Sequence, residues 1–205
     1  MAAPARRGTK QDVSAQGCAL TFISLVAGVI ALLMWSDGLT AGAVFVVLVY
    51  VVVLVGVGWG RRHRAAAARQ LYAVQSTEVA RYHAMKPREF EEAIAYLCHR
   101  DGCTRAQVVG GAGDLGADII ATAPDGRKIV IQCKRYGPTT KVGSPDLQRF
   151  GGTCYSVHGA QIATVVTTSV FTQPAVCYAR QHGIRLYDAT ALGAWASRTG
   201  PAPWM

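Results

Sequence analysis

The chain has 205 residues, enough for one domain of ordinary size and an additional segment. Its formal net charge is +9, but residues 1–86 carry 9 basic against 3 acidic residues, and residues 87–205 carry 12 against 9. Because most of the basic excess precedes residue 87, overall charge alone does not indicate a nucleic-acid-binding protein. The six cysteines form no CxxC pair, which argues against structural zinc and favours small buried thiols over disulfides.

Two apolar segments dominate the N-terminal part of the chain. Ala19–Trp35 and Leu39–Trp59 contain no charged residue, and Asp37 is the only one between Cys18 and Gly60. Each segment approaches the roughly 20 residues that cross the hydrocarbon core of a bilayer. We therefore expect a tail over residues 1–17, followed by a transmembrane helical hairpin over residues 18–60.

Basic residues flank both outer ends of this hairpin and predict its orientation. They are Arg6, Arg7 and Lys10 before it and Arg61, Arg62 and Arg64 after it. The positive-inside rule then predicts an inner (plasma) membrane protein with both termini and the C-terminal domain in the cytoplasm. A secretory signal peptide is the alternative for the first segment, and it leaves the C-terminal domain on the same side. Glycines in the spans permit close helix packing, which leaves a homodimer open.

Helical and strand periods alternate after the apolar segments. Residues 61–86 lack glycine and read as a helical linker up to Pro87, which suits the first turn of a new helix and opens a domain over residues 87–205. The predicted helices are Arg88–Arg100, Ser144–His158, Gln173–His182 and one from Thr190; the predicted strands are Gln107–Gly110, Ala117–Ala123, Lys128–Lys134, Ile162–Thr167 and Ile184–Tyr187. This order favours an α/β fold with three layers, in which helices cover both faces of a central mixed sheet.

Three polar residues stand out in this apolar pattern. Side chains two apart on a strand share a face, so Gln132 and Lys134 are predicted neighbours. The turn at residues 123–126 pairs their strand with the preceding one as a hairpin, which brings Asp118 to the same sheet edge. An acid, an amide and an amine in one place suit a divalent metal ion and a phosphate. Asp114, in contrast, follows a glycine and is interpreted as a turn residue.

These residues resemble the Mrr-like branch of the PD-(D/E)XK restriction endonuclease superfamily, over roughly residues 87–195. The stretches that carry the resemblance are F-E at Phe90-Glu91, G-D-L-G-A-D at 113–118, Q-C-K-R-Y at 132–136, V-T-T-S-V-F-T at 166–172 and I-R-L-Y-D at 184–188. The resemblance implies a restriction-endonuclease-like α/β/α core. It also implies hydrolysis of DNA phosphodiester bonds with Mg²⁺, for which Mn²⁺ is the expected substitute.

The resemblance also implies roles for individual residues. Asp118 matches the metal-binding acid, Glu91 the acid from the first helix, and Lys134 the catalytic lysine. Gln132 stands where other branches have Glu or Asp, which lowers the negative charge of the site and should weaken metal binding without DNA. The backbone carbonyl of Cys133 is a candidate additional metal ligand.

Basic residues near this motif in the sequence are the predicted DNA contacts: Arg127, Lys128, Arg135 and Lys141. A solvated basic face is the other interpretation of each. The leading hypothesis is a membrane-anchored, Mg²⁺-dependent DNA endonuclease, with defence against foreign DNA as one setting. The alternatives are a catalytically silent, membrane-tethered DNA-binding module and a partner-binding or sensory domain.

Overall fold

The computed structural model describes residues 40–111 and 113–205. The chain divides into two compact units, residues 1–67 and residues 68–205, and helix α1 (Thr40–Ala84) contains the described part of the first and the beginning of the second. Residues 61–84 are thus helical, as the sequence predicts. Tyr82 near the end of this helix meets Phe90 in a T-shaped contact, with ring centroids 5.8 Å apart, so the last turns of α1 belong to the core of the second unit.

The predicted membrane hairpin receives no support from the described residues. Between residues 40 and 205, leaving out residue 112, no helix is both long and apolar enough to cross a bilayer. The predicted tail and the first predicted span, Ala19–Trp35, lie outside the described residues. The second predicted span, Leu39–Trp59, enters the described residues at Thr40 and forms part of α1.

The second unit contains a five-stranded mixed sheet. The elements are α2 (Pro87–Arg100), β1 (Thr104–Val108), β2 (Ile119–Thr122), β3 (Lys128–Lys134), α3 (Ser144–Cys154), β4 (Ile162–Thr167), α4 (Gln173–Gln181), β5 (Arg185–Tyr187) and α5 (Ala189–Ala196). The strands lie in the order β1-β2-β3-β4-β5; the first three are antiparallel, and β3, β4 and β5 are parallel. The predicted mixed sheet is confirmed, although β1 begins three residues earlier than predicted and α3 ends four residues earlier.

Helices cover both faces of the sheet, which makes three layers. One apolar cluster packs Ile129 and Ile131 of β3 against α2 and α5, and the other packs Val130 against Leu147 and Phe150 of α3. Because side chains alternate along a strand, Gln132 and Lys134 share the α3 face with Val130. The described cysteines are all free thiols, and Cys98, Cys103 and Cys154 are buried, whereas Cys177 is exposed.

Helix α2 is fixed at its C-terminal end to α5. The Arg100 guanidinium pairs with Asp101 at 2.7 Å and donates to the carbonyl oxygens of Trp195 (2.9 Å) and Ala196 (2.7 Å). The Trp195 indole N–H donates to Asp101 Oδ2 at 2.7 Å. These bonds hold the pKa of Asp101 below its ordinary value and lock the helix that carries Glu91.

Candidate active site

The backbone of Asp118 is held from both sides. Its N–H donates to the Ile131 carbonyl of β3 at 3.0 Å, and its carbonyl accepts from Val109 N at 2.8 Å and Gly110 N at 3.2 Å. The antiparallel register of β2 and β3 runs from Ile119, opposite Ile131, to Thr122, and Asp118 bonds to the same Ile131. Strand pairing therefore brings Asp118 to the end of β3 that carries Gln132, and the meeting of their side chains stays a prediction.

The two carboxylate oxygens of Asp118 differ in their partners. Oδ2 accepts a hydrogen bond from Cys133 N at 2.6 Å, whereas Oδ1 has no donor among residues 40–111 and 113–205. Burial raises the pKa of this carboxyl to about 6, against the effect of the Cys133 amide, and nearby Glu91 and Asp114 raise it further. An acid with one free oxygen and a raised pKa is suited to gain a cation.

Glu91 of α2 faces the same space as Asp118. A Cβ atom at Gly110 would lie 3.1 Å from Glu91 Oε2 and 3.2 Å from Asp118 Oδ1, so the glycine leaves a small gap bordered by both acids. Arg88 Nη1 pairs with Glu91 Oε2 at 3.3 Å and donates to the Gly110 carbonyl at 3.2 Å. Burial raises the pKa of Glu91, and the Arg88 charge opposes that rise.

Gln132 is buried with an unused acceptor. Its side chain is 6% exposed, and Oε1 has no hydrogen-bond partner within the described part of the chain. The amide Nε2 lies beside Gly116, where an added Cβ would come within 3.2 Å and where a φ of +86° already favours glycine. A buried amide oxygen without a donor is costly, and a metal ion or a substrate donor would satisfy it.

The ion partner of Lys134 is Asp146 of α3. Its Nζ lies 3.9 Å from Asp146 Oδ1, and the lysine side chain is 22% exposed. The sequence predicts Asp118 and Glu91 as the acids of this site and gives no signal for Asp146. The difference arises because α3 packs over this face of β3 and places its first turn beside the lysine. Lys134 still lowers the pKa of Asp118 electrostatically.

Buried hydroxyls fix the backbone around Lys134. Thr167 Oγ1 of β4 donates to the Lys134 carbonyl at 2.6 Å. Thr168 Oγ1 accepts from Tyr136 N at 3.0 Å and donates to the Tyr136 carbonyl at 2.8 Å. The V-T-T-S segment therefore anchors the end of β3, which gives that stretch a structural explanation.

Asp114 organises the loop that precedes Asp118. Its Oδ2 accepts from Gly111 N and its Oδ1 from Gly116 N, both at 2.9 Å. These two bonds hold the pKa of Asp114 below its ordinary value, in contrast to Asp118. The predicted turn role of Asp114 is confirmed.

The donors around Asp118 suit a hard divalent cation. No group of three or more His, Cys, Asp and Glu side chains that could hold a metal occurs in the part of the chain that the structure describes. The available oxygens are Asp118 Oδ1 and Gln132 Oε1, which have no partner among the described residues, and the Glu91 carboxylate, whose Oε2 is shared with Arg88. Mg²⁺ accepts such a set because it prefers oxygen ligands and retains several waters. The Cys133 carbonyl remains a predicted ligand; its amide holds Asp118, and its thiol faces the opposite apolar cluster.

The predicted DNA contacts are spread along the domain. Arg127 pairs with Asp125 at 2.6 Å and donates to the Trp204 carbonyl, at the far end of β3. Lys128 begins that strand, roughly 20 Å from Lys134 at about 3.3 Å per residue. Arg135 donates to the His83 carbonyl at 3.4 Å, whereas Lys141 is exposed. The structure thus places Glu91 and Asp118 around one gap and Gln132 and Lys134 on one face of β3, whereas Arg127 and Lys128 lie at the other end of that strand.

Two charged residues that contact predicted site residues, Arg88 and Asp146, have no role in the sequence-based prediction. Arg88 precedes Glu91 by one helical turn, and Arg149 follows Asp146 by the same spacing and pairs with it at 2.6 Å. The helical spacing predicts each of these local pairs. The contact between Asp146 and Lys134 depends on helix packing and has no local sequence signal.

Two solved restriction endonucleases are similar to part of this chain. MspJI restriction endonuclease, solved with a 27-mer oligonucleotide, matches 62% of the chain at 21% identity with a TM-score of 0.46. The DNA modification-dependent restriction endonuclease AspBHI matches 66% at 19% identity with a TM-score of 0.47. The matched regions span 31% and 37% of those two chains. No curated protein sequence matches the chain.

A family model described as restriction endonuclease, the Mrr catalytic domain, matches residues 82–196. This region covers more than half of the chain and includes Glu91, Asp118, Gln132 and Lys134. The match also begins within the last turns of α1, where Tyr82 enters the core. The chain therefore belongs to the Mrr-type restriction endonuclease family and contains its nuclease domain.

Proposed function

We propose that this protein is a Mg²⁺-dependent DNA endonuclease that hydrolyses phosphodiester bonds, with Mn²⁺ as a substitute. The observation that carries the proposal is the gap at Gly110, bordered by Glu91 Oε2 and Asp118 Oδ1. Gln132 of the adjoining strand adds a buried oxygen that lacks a partner among the described residues. Membership of the restriction endonuclease family supports the same reaction class.

The residues divide the work by charge. Asp118 and Glu91 supply the negative charge that holds the cation, and Gln132 supplies a neutral oxygen, which limits the charge of the site before DNA arrives. Lys134 carries an ammonium on the same strand face, where it orients the nucleophile or donates to a phosphate oxygen. The bound metal would lower the pKa of a coordinated water and offset the charge that builds on the phosphorus centre.

The raised pKa of Asp118 predicts a pH-dependent site. At a pKa of about 6, a large fraction of this carboxyl is protonated in mildly acidic solution, and only the carboxylate holds a divalent cation well. Metal binding should therefore release a proton near pH 6 and weaken as the pH falls below that value.

A plasmid-cleavage assay of the full-length chain tests the proposal. We expect nicking that needs Mg²⁺ or Mn²⁺, disappears in Asp118→Ala and Lys134→Ala, and persists in Glu92→Gln. Glu92 lies on the same helix as Glu91 but is 61% exposed, which makes it a matched control. Retention of DNA without nicking in any divalent metal would contradict an enzyme and favour the silent binding module.

We also propose that the N-terminal segment tethers the nuclease to the inner membrane, with the nuclease domain in the cytoplasm. The support is the apolar composition of residues 19–35 and 39–59. In addition, α1 exposes large apolar side chains such as Val52 (69%) and Val55 (61%). The full-length chain should then sediment with membranes and resist extraction by alkaline carbonate. Recovery in the soluble fraction would contradict the tether without affecting the nuclease proposal.

A further inference from the structure

Asp146 is fixed at the start of α3 by two hydrogen bonds with Gly143. Its backbone N–H donates to the Gly143 carbonyl at 3.2 Å, and its Oδ2 accepts from Gly143 N at 3.4 Å. The side chain is 13% exposed. One carboxylate oxygen is therefore committed to the helix start, while Oδ1 faces the cations.

Two cations share Asp146 Oδ1 on unequal terms. Arg149 Nη2 lies 2.6 Å away, but its side chain is 75% exposed and comes from the same helix, three residues after Asp146. Lys134 Nζ lies 3.9 Å away, with 22% of its side chain exposed, and comes from the central strand. The exposed pair is replaceable by water, whereas a half-buried ammonium needs a specific partner.

Asp118 does not serve Lys134 in this way. Its Oδ2 is taken by the Cys133 amide, and its Oδ1 lies toward Glu91. Within the described ranges, Asp146 is the acid within 4 Å of the lysine ammonium. The position of Lys134 thus depends on a residue from another layer of the fold.

We propose that Asp146 is a positioning residue that holds the Lys134 ammonium on the substrate side of β3 for phosphodiester hydrolysis. The inference rests on the proposed nuclease function. Asp146 touches neither the gap at Gly110 nor the Glu91 and Asp118 oxygens that border it. It therefore acts on the reaction through Lys134. Arg149 shares the same oxygen without contributing to the reaction.

Lysine ammonium groups can be observed directly by ¹H–¹⁵N NMR of the uniformly labelled full-length chain in detergent micelles. The Lys134 signal is assigned by its loss in Lys134→Arg. We expect this signal to shift or to broaden through faster solvent exchange in Asp146→Asn, and to persist in Arg149→Gln. Asn retains an oxygen that can accept from Gly143 N, so the helix start is preserved. A Lys134 signal unchanged by Asp146→Asn overturns the proposal.

Steady-state cleavage kinetics supply the second readout. Asp146→Asn should lower kcat about tenfold or more with KM for DNA within twofold, as loss of a supporting carboxylate does at comparable sites. Asp146→Glu should restore part of the rate, and Arg149→Gln should leave kcat unchanged. An unchanged kcat in Asp146→Asn, or a raised KM with kcat retained, overturns the positioning role.

Failure of the two proposals can be told apart. If the wild-type chain cleaves no DNA with any divalent metal, the nuclease proposal fails. The NMR comparison still decides whether Asp146 holds Lys134. If cleavage occurs but the Lys134 signal is the same in the wild-type chain and in Asp146→Asn, the nuclease proposal stands and the positioning role is wrong.

Discussion

The two ends of strand β3 place similar residue types in opposite situations. At its first end, Arg127 closes an exposed turn in which Asp125 accepts from both the Arg127 amide and guanidinium, and the pKa of Asp125 falls below its ordinary value. At its last end, Asp118 is buried with one oxygen unpartnered, and its pKa rises to about 6. The Asp125 carboxylate is satisfied by its own turn, whereas Asp118 Oδ1 has no donor among the described residues. Function is expected where the polar groups are left incomplete.

The largest expected contrast compares the two aspartates. Asp118→Ala should lower plasmid nicking about a thousandfold, because it removes the metal-binding acid. Asp125→Asn should change the rate less than twofold, since that carboxylate contacts only its own turn. Initial nicking rates at saturating Mg²⁺ measure both. Equal losses would mean that the last end of β3 is not the centre of the reaction.

The two lysines of β3 give the second contrast. Lys134→Ala should lower kcat about a hundredfold, by removal of a positioned charge at the site. Lys128→Ala should leave kcat unchanged and raise KM if that residue contacts the DNA backbone, as predicted. Cleavage kinetics at several DNA concentrations separate the two effects. A loss of kcat in Lys128→Ala would contradict the assignment of the reaction to the Lys134 end of β3.

Neighbouring glycines allow a contrast within the site itself. Gly110→Ala would place a Cβ atom 3.1 Å from Glu91 Oε2 and 3.2 Å from Asp118 Oδ1, and should weaken Mn²⁺ binding about tenfold. Gly111→Ala meets nothing within 4 Å and serves as the matched control. Calorimetric titration of the metal measures both variants. Unchanged affinity in Gly110→Ala would place the cation elsewhere.

The smallest expected effect is on stability. The folded-state pKa of Asp118 lies above the ordinary 3.8, so its ionisation destabilises the fold as pH rises through the range from about 4 to 6. Asp118→Asn should therefore raise the free energy of unfolding at pH 8 by about 2 kcal/mol, allowing for partial solvent exposure, with no gain below pH 4. Metal-free thermal denaturation at both pH values tests this. The same gain at pH 4 would assign the effect to packing.

The sequence predicted the central strands better than the contacts between the layers of the fold. β3 and β4 have the predicted bounds, Lys128–Lys134 and Ile162–Thr167, because buried β-branched runs are strong local signals. The period of a strand also placed Gln132 beside Lys134 correctly. Asp146 was missed because its contact with Lys134 arises from the packing of α3 on the sheet. The gap at Gly110 likewise depends on the approach of α2.

The boundary of the domain shows a similar limit. Pro87 correctly predicted the start of α2, but Tyr82 already belongs to the core, and Gln75 of α1 closely approaches Gly193 of α5. The charged residues at 61–69 and the polar residues that follow predict a helix. They do not predict which turns of that helix are buried by the rest of the domain. Helical propensity is local, whereas burial depends on elements more than 100 residues away.

The bridge between Arg100, Asp101 and Trp195 has a consequence for how the nuclease is made. These contacts join residues 94 or 95 positions apart, so the helix that carries Glu91 leaves the ribosome long before its anchor does. During synthesis, the C-terminal end of α2 therefore stays without these partners until α5 has emerged and packed. This part of the core is completed only when almost the whole chain has been made.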